Sequence, residues 1–171
     1  MKNKFRVGLM SMLAASLLVV SCDEDDANGP LRENEKTYTL AALDNSGVSG
    51  TVTFARENDA TTRVTINLTG TMAGNSHPAH IHANSADADG PIVLDFNPVD
   101  GATGKSETMV TAFNDGKAVT YEELINYNGH VNVHKSATEL AIMLAQGNIG
   151  SNATGSTPDA GDDGMDGDDG Y

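Results

Sequence analysis

The chain has 171 residues, a formal net charge of −14 at pH 7, a sequence pI near 4.4 and a single cysteine. Nucleic acid is excluded as a partner, because phosphate binding draws its free energy from clustered Lys and Arg, and anionic lipid headgroups are repelled for the same reason. One cysteine excludes an internal disulfide, so a packed core must hold the fold.

In chain order, Lys2, Lys4 and Arg6 precede an apolar stretch from Val7 to Val20 and then Ser21-Cys22. A basic front on a segment shorter than the roughly 20 residues of a spanning helix reads as a secretion signal over residues 1–21, removed on export. Leu18-Val19-Val20-Ser21-Cys22 resembles the bacterial lipobox, which implies that Cys22 is acylated and becomes the first mature residue. One acyl chain binds a bilayer only marginally, whereas two or more hold a protein there. Lipidation at Cys22 also consumes the one thiol, leaving none as nucleophile or metal ligand.

The run Asp23-Glu24-Asp25-Asp26 resembles the surface-export signal of lipoproteins from Bacteroidota. That resemblance implies an outer-membrane lipoprotein on the cell surface, with a periplasm-facing anchor as the alternative. Residues 22–36 are polar, contain Asn28-Gly29-Pro30 and read as a flexible acidic tether.

Residues 37–150 have the length of one domain. Apolar residues alternate with polar ones at Tyr38/Leu40/Ala42, Val52/Phe54, Val64/Ile66/Leu68, Ile92/Leu94/Phe96 and Val131/Val133, a period of two that places them on one sheet face. Turn residues break the strands at Asp44-Asn45-Ser46-Gly47, Glu57-Asn58-Asp59, Gly70 to Ser76, Asp87 to Gly90, Asp100-Gly101 and Asn114-Asp115-Gly116. Short strands at this spacing predict an all-β antiparallel sandwich or barrel. The one helical signal is Thr120-Tyr121-Glu122-Glu123, a capping box ahead of Leu124 and Ile125, which predicts a short helix crossing from one sheet to the other. Residues 151–171 are rich in Asp and Gly and read as a disordered tail, without the ligand spacing of an EF-hand loop.

All five histidines fall in two segments, His77-Pro78-Ala79-His80-Ile81-His82 and His130-Val131-Asn132-Val133-His134. On strands, His80 and His82 share a face, as do His130, Asn132 and His134. Brought together, three or four imidazoles make a site for zinc or copper, which take neutral imidazole nitrogen at about 2.0 Å. His80, His82 and His134 are the candidate ligands, with His77 as a fourth ligand or a supporting residue. The competing reading is structural: one ring nitrogen donates to a backbone carbonyl, the other accepts, and Asn132 joins the network.

Ala79-His80-Ile81-His82, Gly90-Pro91-Ile92-Val93 and Val131-Asn132-Val133-His134 together resemble the CHRD (chordin) domain. Tyr121-Glu122-Glu123-Leu124 and Ala145-Gln146-Gly147-Asn148-Ile149-Gly150 resemble its version in lipoproteins of Bacteroidota. The resemblance implies an immunoglobulin-like or Greek-key β-sandwich in a secreted protein. His80, His82 and His134 match family positions and His77 matches the lipoprotein relatives, whereas His130 stands where an aromatic residue, usually Tyr, is more usual.

The His80-Ile81-His82 strand is also similar to the copper-ligand strand of copper/zinc superoxide dismutases. Five histidines and no spare cysteine fall short of that enzyme's two-metal set and disulfide, and the acidic surface repels an anionic substrate. The acids Asp87, Asp89 and Asp95 are of the kind that hydrogen-bonds its own turn backbone, and no serine lies in a nucleophile elbow. Met72, Met109 and Met143 read as core or edge filling. The sequence therefore predicts no catalytic residue and no enzyme. It predicts a membrane-anchored binding or structural module whose partner is an envelope protein, a glycan or another copy of itself.

Overall fold

The computed structural model describes residues 34–153. The expected signal, the lipidated Cys22, the acidic run and the tail from 154 onwards lie outside the described residues. No helix among the described residues is long and apolar enough to cross a membrane.

The domain is all-β. Ten strands, β1 (Glu35–Ala42), β2 (Ser49–Asn58), β3 (Thr61–Thr69), β4 (Ser76–His77), β5 (Ala79–Ala83), β6 (Ile92–Asp95), β7 (Val99–Asp100), β8 (Lys105–Val110), β9 (Asn128–His134) and β10 (Met143–Gly150), accompany one helix, α1 (Tyr121–Ile125). Every pairing is antiparallel, in the order β4-β7-β8-β3-β2-β1-β10-β9-β5-β6. The first strand begins at Glu35, two residues ahead of the expected domain start.

Two places turn this sheet back on itself as a curled half-barrel. β1 pairs with β2 through Glu35 to Leu40 and with β10 through Ala41 and Ala42, so one strand belongs to both walls. At the other side, β4 pairs with β7 and, one residue later, β5 pairs with β9, so the chain changes walls at Pro78. Pro78 has no N–H to lose to a ladder, and its carbonyl accepts from His134 N at 2.8 Å. Strands that switch walls at corners are the usual way such sheets close.

The expected alternation forms the core: Tyr38, Leu40, Val52, Phe54, Val64, Ile66, Leu68, Leu94, Phe96, Val131 and Val133 are all buried between the walls, joined by Ala79, Ile81, Ala145 and Ile149. Tyr38 and Phe54 meet edge to face at 5.8 Å. Ala42 and Ile92 depart from the pattern and are exposed, each at a strand end where the walls no longer face one another.

α1 lies where the capping box placed it. Thr120 accepts from Glu123 N and Glu123 Oε2 accepts from Thr120 N at 2.9 Å, which satisfies two backbone donors of the first turn. Buried Tyr121 and Leu124 pin the helix to the core, and Arg56 stacks over the Tyr121 ring and pairs with Glu122. The helix carries the chain from β8 on one wall to β9 on the other, as predicted.

A histidine trough on the outer face of β5 and β9

Because Ile81 points into the core, His80 and His82 point out of it, and because Val131 and Val133 point in, His130, Asn132 and His134 point out as well. The register sets these two rows side by side. His80 stands opposite Asn132 and His82 opposite His130, with His134 diagonal to His80. A register shift between Ile81 and His82 against β6 turns the second half of β5.

Outward residues of a sheet are usually wet, yet His130, Asn132 and His134 are buried. Two loops cover them. The loop from Asn84 to Gly90 brings the Asn84 carbonyl to His130 Nδ1 at 2.9 Å and the Gly90 carbonyl to His82 Nδ1 at 2.9 Å. The loop after β9 brings the Leu140 carbonyl to His134 Nδ1 at 2.6 Å. The first loop is fixed by Asn148 Oδ1, which accepts from Ala86 N at 2.8 Å. Its path requires glycine at 90, since a Cβ there would overlap the Ala83 carbonyl.

These hydrogen bonds decide the chemistry. A carbonyl can only accept, so Nδ1 of His82, His130 and His134 each carries the proton, and the lone pair is left on Nε2. All three Nε2 atoms are buried without a protein partner. His80 is oriented the other way: its Nε2 faces Asp95 Oδ1 at 3.6 Å, while its Nδ1 is buried and unpartnered. An imidazole held by one nitrogen and offering the other is the arrangement that positions metal-ligating histidines.

His80, His82 and His134 offer ligand atoms that lie within 4.8 Å of one another. Their ring centroids are 5.1 Å (His80–His134), 6.1 Å (His80–His82) and 6.3 Å (His82–His134) apart. Ligands at about 2.0 Å from one tetrahedral ion stand about 3.3 Å from each other, so small rotations close the set. Burial, with the neighbouring imidazoles, lowers the His80 pKa from its ordinary value against the opposing pull of Asp95. Burial likewise lowers that of His134, offset in part by the Leu140 carbonyl. Both rings are thereby held neutral, the form that binds metal. A cleft of ≈ 350 Å³, lined by His82, Asp89, Asn132, His134, Met143 and Gln146 among others, opens onto the trough.

The structure thus brings together three of the four expected ligands. His77 stands apart: it shares the parity of Ala79 and Ile81, faces inward at 2% exposure, and engages the carbonyls of His134 at 3.2 Å and Lys135 at 2.9 Å through Nδ1. The Asn132 side chain accepts from Gln146 Nε2 at 2.8 Å and does not bond to a histidine ring, unlike the network expected of it. Met143 borders the cleft, whereas Met72 and Met109 are exposed at 67% and 53%, not core. Two residues that the sequence reading set aside belong to the trough. His130 lies against His82 with centroids 5.1 Å apart, and Asp89 offers a carboxylate to the same pair. Strand parity carried the signal for His130; for Asp89, only the loop's path could supply it.

An all-β domain closed by a shared strand, β1, and a corner at Pro78, with a row of oriented imidazoles on its outer face, defines a histidine-bearing β-module. Residues 34–139 match the CHRD domain, and the chain belongs to the CHRD domain family. The match contains every histidine of the trough and ends before β10, although β10 joins β1 to β9 at the centre of the sheet. No curated protein matches the chain.

Proposed function

We propose that this CHRD domain binds one late transition-metal ion, zinc or copper, through His80, His82 and His134, and is displayed from a bacterial membrane by acylated Cys22. The observation that carries the metal reading is that His80, His82 and His134 offer ligand atoms within 4.8 Å of one another while each keeps a buried ring nitrogen without a partner, the other nitrogen being engaged by a carbonyl in His82 and His134 and facing Asp95 in His80. His77 likewise keeps a buried Nε2 without a partner, so what marks the trough histidines is that they offer ligand atoms within 4.8 Å of one another. Leaving several acceptors buried without partners is costly, and a metal ion removes that cost.

The anchored, extracytoplasmic setting is supported by the basic-apolar leader, the lipobox-like segment ending at Cys22 and the acidic run behind it, features of the Bacteroidota lipoprotein type. The cell surface is the face favoured by Asp23-Glu24-Asp25-Asp26. We read the domain as a binder and not as an enzyme. The similarity to dismutases covers one His-x-His strand, and the net negative charge opposes capture of superoxide.

Titration of zinc or copper(II) into the purified protein should show one ion bound and a raised melting temperature, and His82→Ala should abolish both effects. A wild-type protein whose melting is indifferent to either metal contradicts the proposal.

A further inference from the structure

His82 is shared by two ligand sets. One is the histidine triad above; the other is His82, His130 and Asp89, whose ligand atoms also lie within 4.8 Å of one another. His130 is fully buried, its Nδ1 donates to the Asn84 carbonyl, and its Nε2 is buried and unpartnered beside His82. The His82 and His130 rings are 5.1 Å apart with their planes 23° from parallel. Asp89 sits on the covering loop at φ 55°, a left-handed conformation that Asp tolerates, and Asn84 at φ 67° donates from Nδ2 to the Asp89 carbonyl at 3.0 Å. One carboxylate oxygen of Asp89 accepts from Gly90 N at 2.7 Å. A carboxylate has further acceptor capacity beyond that bond.

We infer that the trough holds two alternative positions for a single ion, an all-imidazole position at His80/His82/His134 and a mixed position at His82/His130/Asp89, occupied one at a time and exchanging through His82. This rests on the metal-binding reading. His82 has one free lone pair, because its Nδ1 proton is committed to the Gly90 carbonyl, so it serves one ion at a time.

The two positions differ in chemistry. Three neutral imidazoles leave the ion's charge uncompensated, whereas Asp89 adds a negative, harder oxygen ligand that favours a divalent ion such as zinc. They also differ in what holds them. The loop from Asn84 to Gly90 orients both imidazoles and carries the acid of the mixed position, while the Leu140 carbonyl and Asp95 orient the outer members of the other. Both sets border the same cleft, through His82, His134 and Asp89, so the ion need not leave the trough to change partners. The class of ligand is a divalent first-row cation held by exchange, not a locked structural ion.

Cobalt(II) serves as the probe, since its visible absorption reports the ligand set, added to the full chain carrying Cys22→Ser. Wild type should bind one equivalent. His80→Ala and Asp89→Asn should each still bind one equivalent, with affinity within about tenfold and altered, mutually different spectra. The double variant should lose on the order of a thousandfold, far more than the singles combined, because either position rescues the other. Asp89 is exposed and Asn suits its backbone, so this substitution leaves the fold intact. Two equivalents bound by wild type, or loss of binding on His80→Ala alone, would overturn the two-position inference while leaving metal binding standing. A wild-type protein that binds no cobalt would overturn the underlying reading itself.

Discussion

Asp95 stands directly across from His80 on β6, its Oδ1 3.6 Å from His80 Nε2. That separation is too long for a hydrogen bond, yet the carboxylate's charge favours the proton on Nε2 and so leaves the lone pair on the buried Nδ1. Asp95 is itself held by Asn114, which donates from Nδ2 to Oδ2 at 3.1 Å. The acid is mostly exposed, so its removal changes the histidine's tautomer without opening the core.

Asp95→Ala is therefore expected to weaken zinc binding by up to about tenfold, the low end of the usual cost of losing a residue that orients a metal ligand, because the mixed position remains. Competition against a chromogenic chelator measures it, with the melting temperature of the metal-free protein as the control for folding.

Acid should destabilise the metal-free domain. The pKa values of His80 and His134 are lowered on folding, below the unfolded value of 6.5, so the unfolded chain takes up protons that the folded one refuses. Stability contributed by the neutral rings is complete above pH 6.5 and is lost as pH falls from there towards the depressed folded values. The slope approaches at most about 1.4 kcal/mol per pH unit for each ring. Chemical denaturation between pH 7.5 and 5 checks the sign, and His80→Gln should flatten the dependence.

Gly147 lies on β10 where the strand meets β1, and a Cβ there would overlap the Thr39 carbonyl. Gly147→Ala should destabilise the domain by about 1–3 kcal/mol, as overpacking of a close backbone approach does. The effect should appear in urea unfolding whether or not metal is present, since Gly147 offers no ligand to the trough.

Thr120→Ala removes the acceptor for Glu123 N and should cost about 0.5–2 kcal/mol. Metal affinity should not change, because α1 only delivers the chain to β9 and offers no ligand.

Cys22→Ser should shift the protein from the membrane fraction to the soluble one when the full gene product is expressed in its native envelope. Retention of the variant in washed membranes would refute the acyl anchor. Metal binding is expected to be the same in both forms.

The sheet was legible because alternation and turn chemistry are local. Val52/Phe54 and Val64/Ile66/Leu68 face the core as their spacing required, and Thr120-Tyr121-Glu122-Glu123 began the helix. Parity also placed His80 with His82, and His130 with His134. Register was not legible, since whether β5 lies beside β9 depends on contacts about fifty residues apart in sequence. His77 shows the limit well: its parity with Ala79 separates it from the face of His80 and His82, yet only the structure shows that it engages the His134 carbonyl and so takes the supporting place of the two expected for it. Asp89 was read as a turn acid, and it does cap its own backbone, at Gly90 N; its place beside His82 follows from a loop whose path is fixed by Asn148 on a different strand.

The one-residue corner at Pro78 assigns neighbouring positions to separate tasks. Ala79 and Ile81 supply cohesion to the interior, while His80 and His82, interleaved with them, hold the reactive groups outside it. The interior packing and the outward chemistry thus alternate along one strand, and a change at His80 or His82 leaves the apolar contacts of Ala79 and Ile81 in place.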